Sequence, residues 1–292
     1  MIFATLFVGA VLPFLVTAVV LGAVDGFDRN RAREGGCRGF VLAGALAYPL
    51  AHGLVRGGLP FPPVESVDWL PFFALLAGVV GLLEAGLPRL GRGRWLLRLV
   101  VVAGLLWTTL SPLVRYAWSA LAAAGWMAAL EIAVLLFWGA VESHVRRDEP
   151  LAAPLSFLLL SVGSSGILLL SNSAVLGQLA GVLAAVLGAW LLMAVLRPRR
   201  FPARGSGAVL TLVLAGLWMQ GYFYADLPLS SLVLLALVPA TAVVGEALRR
   251  RGRSRLVALA GEWALASLLV GLAAVGPLLA SWRAVADPYA MG

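Results

Sequence analysis

Glu131 is the side chain in this sequence best placed to do chemistry in an apolar setting. It stands among Ala128, Ala129, Ile132 and Ala133. An ionisable group at the centre of a membrane helix costs on the order of 3 kcal/mol, so it is retained for a purpose or a partner. In the apolar run 124–141 it lies about 10 Å below the run's start at 1.5 Å per residue. His52, Arg56, Arg115, Gln178 and Gln220 fall near the same depth on other runs. A carboxyl that meets water or Arg115 there can take up and release a proton, which is the chemistry of proton-coupled transport. Bonded to Arg115 or Gln220, the same carboxyl is a strut between helices. Glu84, Glu246 and Glu262 form a second acidic set; the first two are close enough to arginines to pair with them, whereas Glu262 lies inside the run 256–281. The candidate substrate or proton groups are therefore Glu131, His52, Arg115, Gln178, Gln220 and Glu262.

Other chemistries find little support. Gly163-Ser164-Ser165-Gly166 resembles the G-x-S-G string around the nucleophile of rhomboid-type intramembrane proteases, a resemblance that implies Ser165 as nucleophile and a nearby base. No histidine follows Ser165, so His52 would have to serve from an earlier helix. There is no Walker A run, no HExxH and no carboxylate cluster with metal spacing. Cys37 is the lone cysteine, which excludes CxxC metal or redox chemistry, and with His52 and His144 the two histidines, a haem or multi-histidine metal site is not expected. No cofactor is expected. An enzyme acting on lipid-linked substrates would draw on Glu65, Asp68 or His52.

These residues must be positioned by membrane helices. The chain of 292 residues is 61% hydrophobic and 12% charged, against about 25% charged in soluble domains. Apolar runs of the length needed to cross a bilayer predict an all-α, polytopic integral membrane bundle with spans at about 2–24, 39–56, 69–88, 95–118, 124–141, 151–171, 173–196, 207–225, 229–247 and 256–281. No connection leaves room for a soluble domain, so residues 1–292 read as one transmembrane domain. Almost all arginines fall in five clusters, Arg29 to Arg38, Arg89 to Arg98, Arg146 and Arg147, Arg197 to Arg204, and Arg249 to Arg255, while the alternate connections carry Glu65, Asp68 and Asp226. Basic loops stay on the cytoplasmic side, which threads about ten helices with N-terminus and C-terminus both outside. The positive cluster follows the first apolar run, the order of an uncleaved span. Val79-Val80-Gly81 with Glu84 and Val243-Val244-Gly245 with Glu246 begin two similar hairpins, a weak sign of an internal repeat.

All 22 cations are arginine, which suggests the plasma (inner) membrane of a GC-rich bacterium. The net charge of +8 sits at helix ends, where it suits membrane lipid headgroups and not nucleic acid. Gly177, Gly181 and Gly188 line a small-residue face that packs helices closely, within the chain or in a homo-oligomer or protein complex. The preferred function is a secondary transporter or permease for a small or lipid-like molecule. A non-catalytic membrane subunit of a larger complex is the alternative, and a membrane-embedded lipid-modifying enzyme comes third.

Overall fold

The computed structural model describes residues 7–28, 39–59, 61–87, 91–147, 149–196 and 205–286. The arginine clusters 29–38 and 197–204, with Cys37, lie outside the described residues. Among those described there is no strand. A π-helical turn, Phe7–Val11, leads into α1 (Leu12–Asp28), followed by α2 (Gly39–Arg56), α3 (Leu70–Gly86), α4 (Gly93–Tyr116), α5 (Ala120–Val145), α6 (Ala152–Leu170), α7 (Ala174–Leu196) and α8 (Ser206–Tyr224). Then come α9 (Leu229–Ala236), α10 (Ala242–Arg250) and α11 (Arg255–Ala286). A 3-10 turn, Ser66–Trp69, precedes α3, and a second, Val238–Thr241, separates α9 from α10. Nine of these helical segments, taking Leu229–Arg250 as one, are long and apolar enough to cross a membrane. At the tenth expected span, at the N-terminus, the described residues hold a shorter apolar helical stretch, Gly9–Val24.

Short polar side chains end helices where backbone sterics require it. Asn172, at φ 61°, turns α6 into α7, and Asp226, at φ 53°, turns α8 toward α9; Asn and Asp are the side chains that best tolerate this left-handed region. Between α4 and α5 the Ser119 hydroxyl accepts from the Ala122 amide at 3.3 Å and caps α5.

Helix α8 is the hub. It is buried along nearly its whole length and packs on α3, α4, α5 and α7. Its uniformly apolar surface reads as a membrane span in sequence, and a helix apolar on every side belongs inside the protein. Gly205, with φ 84°, starts α8 against Gly81 of α3, so close that a Cβ on either would meet the other's carbonyl oxygen. Antiparallel α3 and α8 keep this register, with Gly216 against Leu70 and Gln220 against Ser66.

The span Leu229–Arg250 is broken near its middle, where Pro239 has no amide hydrogen to continue the helical ladder. α11 runs antiparallel beside both halves: the Ser231 hydroxyl donates to the Ala273 carbonyl at 2.6 Å, and beyond the break Gly245 faces Glu262 and Leu248 faces Gly261. The hairpins suspected of repeating one another differ here, since α10 packs along α11 whereas α3 and α4 barely touch.

Contacts sort the helix ends. Arg98 with Glu84, Arg147 with Glu262 and Arg249 with Glu149 gather at one end, called the inner end below. Arg56 with Asp68, Ser66 with Gln220, and Trp118 with Phe223 gather at the opposite, outer end.

The Gly81 contact is directly testable. Gly81→Ala places a methyl against the Gly205 carbonyl and is expected to lower stability by about 1–3 kcal/mol. Gly104→Ala, whose Cβ would sit 3.8 Å from Phe73 in ordinary contact, is expected to be near neutral; thermal unfolding in detergent compares the two.

Candidate functional site

At the inner end, four elements converge on Glu262. Arg147, just past α5, donates from Nη1 to Glu262 Oε2 at 2.8 Å. Ser156 of α6 donates to Oε1 at 3.4 Å. His144, in the last turn of α5, brings Nε2 within 3.2 Å of Oε1, while its Nδ1 lies 3.1 Å from the Pro239 carbonyl at the break. His144, Ser156 and Glu262 are buried. Gly245 lets the α10 backbone close over the carboxylate, since a Cβ there would collide with Glu262 Oε2.

The two ring nitrogens of His144 thus face two acceptors. A neutral imidazole has one N–H and can serve only one of them. The Nδ1 proton suits the Pro239 carbonyl, and Nε2, which makes no aligned hydrogen bond, is left toward the carboxylate. A proton on that nitrogen, or on the carboxyl, would make the contact favourable. The arrangement can hold and release one proton beside a helix break, with Arg147 as a fixed counter-charge.

A second inner network is more strut than site. Arg98 of α4 grips Glu84 of α3 through two hydrogen bonds of 2.6 and 2.7 Å and lies 3.8 Å from Glu142 of α5. Arg146 closes the series on Glu142 at 2.7 Å. The alternation of charge ties three helices together, and the Arg98 guanidinium stacks over Trp138, 4.8 Å from the ring centroid, a cation–π contact strengthened by desolvation.

The outer end holds a third set. Arg56 pairs with Glu65 at 2.6 Å and with the buried Asp68 at 3.2 Å. Ser66 donates to Gln220 Oε1 at 3.0 Å. Beneath this cap Tyr48 and His52, one turn apart on α2 with rings 5.9 Å apart, are fully buried. The Tyr48 hydroxyl, both His52 nitrogens and Gln220 Nε2 have no hydrogen-bond partner among the described residues.

The structure therefore distributes the residues singled out from sequence. Glu262 enters the inner cluster, and His52 and Gln220 lie in the outer set. Glu131 is half-buried with Oε1 shielded and unpartnered. Neither Arg115, exposed at the outer end of α4, nor Gln220 bonds to it. Gln178, half-buried on α7, belongs to neither polar set. Ser165 donates to the Gly177 carbonyl at 2.7 Å and Ser164 accepts from Trp218 at 3.0 Å, so both hydroxyls of the G-x-S-G string bind helix to helix with no histidine beside them. Gly177 and Gly181 face Leu169 and Ser165 of α6, and Gly188 faces Phe14 of α1.

Sequence reasoning missed His144, Arg147 and Ser156. In the sequence Arg147 falls among the loop arginines, and His144 counts only toward a metal site. The available signal was Pro239 inside an apolar run, which marks a break and hence a place where buried polar groups are met. Among the described residues, no three His, Cys, Asp or Glu side chains converge as a metal site would need. Compared with known proteins, the chain matches no family model and no curated sequence.

The strut network makes a prediction. Glu84→Leu leaves the Arg98 charge buried with only the more distant Glu142, and is expected to cost about 3–5 kcal/mol. Pairing it with Arg98→Met should restore most of that loss, as read by tryptophan-monitored unfolding in detergent.

Proposed function

We propose that the chain is a secondary transporter or permease of the plasma membrane, with the arginine-rich end cytoplasmic and both termini outside. Its moving part is the broken span Leu229–Arg250, and its proton group is the His144–Glu262 pair. The observation that carries this reading is the meeting of a buried histidine, carboxylate and arginine at the inner end, where the histidine also faces the Pro239 carbonyl of a helix break. Transporters build substrate and ion sites from discontinuous helices, whose freed backbone carbonyls help to line them. The substrate is a small or lipid-like molecule. In this scheme Glu262 is neutralised alternately by a proton shared with His144 and by Arg147, and the balance shifts as α10 moves relative to α5.

One observation favours a second reading, that of a non-catalytic membrane subunit. The outer half of α5 exposes Ala120, Ala124, Gly125, Ala128 and Ala129, a surface suited to close helix packing, and Glu131 beside it lacks a partner. A neighbouring membrane protein would cover both.

Cysteine accessibility separates the two. In a Cys37→Ser background, Ser156→Cys is expected to react with a membrane-impermeant thiol reagent applied to the cytoplasmic side, and Glu262→Gln is expected to change the rate at least several-fold. A Ser156→Cys chain that stays unreactive while an Arg253→Cys control labels normally would count against transport. Co-purification of the chain with a partner in mild detergent would then favour the subunit.

A further inference from the structure

Between the end of α5 and α10 the inner end opens into a cavity of about 420 Å³, lined by Ser143, Arg147, Val243, Glu246, Ala247 and Arg250. Its two walls differ chemically. Val243 and Ala247, with Ala242 beside them, make an apolar side, and Val243 is 69% exposed toward the surroundings of the bundle. The polar side carries two guanidiniums and one carboxylate. Arg250 donates from Nε to Glu246 at 3.1 Å, and with its side chain 79% exposed its terminal nitrogens stay open to a ligand. Arg147 reaches back to Glu262 while its Nη2 nitrogen lies beside Gly245. The adjoining turn adds Arg249, Arg251, Arg253 and Arg255, against which the described structure sets Glu149 and Glu246 as partners. The mouth therefore carries a positive excess.

We propose that this cavity binds the headgroup of an anionic phospholipid, its phosphate against Arg250 and Arg147 and the start of an acyl chain over Val243. Basic pockets between membrane helices at the cytoplasmic face suit such headgroups, because the guanidinium charge and the hydrocarbon contact act on the two parts of one molecule. Free phosphate is a poorer match, because it gains nothing from the Val243 wall. The site is independent of the transport reading, since a transporter and a subunit could each hold a lipid there.

Native mass spectrometry of the full chain in mild detergent, with phosphatidylglycerol and phosphatidylcholine supplied at equal concentration, tests this. The wild-type chain is expected to retain phosphatidylglycerol in preference. Arg250→Gln, an exposed position where folding is not at stake, is expected to lower that retention about fivefold, the contribution of one arginine at an anionic surface. Val243→Trp, which fills the cavity, is expected to lower it as well. Equal retention of the two lipids by wild type, or phosphatidylglycerol retention unchanged in both variants, overturns the proposal. Complete displacement of the lipid by inorganic phosphate at matched concentration also overturns it, by assigning the cavity to the free anion.

Discussion

A charge inside hydrocarbon must be met by an opposite charge or lose its own through a proton, and the inner half of this bundle is organised around that constraint. Glu84, Arg98, Glu142 and Arg146 alternate in sign and bind α3, α4 and α5. Arg147 and Glu262 repeat the pattern between α5 and α11. In the first series each charge has an opposite neighbour, with Glu142 Oε2 held 3.8 Å from Arg98 without a hydrogen bond. The second adds a histidine whose two nitrogens face acceptors, so one proton more or less changes its charge balance.

Helix α8 backs the first series. Its inner end meets Gly81 of α3 and Glu142 of α5 through Gly205 and Gly207, and its outer end holds Gln220 under the Ser66 turn. α8 is mostly apolar, and its polar side chains Trp218, Gln220 and Tyr224 bond Ser164, Ser66 and the Thr109 carbonyl, away from the charges of the inner end. The charges of α3, α4 and α5 are thereby directed to one another, and the unpartnered atoms of Tyr48, His52 and Gln220 are left together at the outer end.

Much of the helical architecture was legible in the sequence, because hydrophobic length and arginine placement are one-dimensional signals. The gaps left between spans at 119–123 and at 172 coincide with the turns at Ser119 and Asn172, where short polar residues separate apolar runs. The site was less legible. Glu262 stood out as a carboxylate in apolar company, but its partners come from residues 106 to 118 positions earlier, and no local pattern links them. Arg147 looked like any loop arginine; only packing of α5 against α11 turns it inward. Glu131 shows the converse, conspicuous in sequence yet without a partner within the described chain.

The separation of 115 residues between Arg147 and Glu262 also orders assembly. A chain made from its N-terminus presents α5 to the bilayer well before α11 exists, and segments made first organise first. The Glu84–Arg98–Glu142 strut can form at once from neighbouring helices, whereas Arg147 lacks its Glu262 partner until α11 is made. The buried pair is then a late lock, closed by the insertion of α11. A nascent chain stalled before that helix would keep an uncompensated cation at its inner rim, a chemical mark that separates the unfinished protein from the finished one.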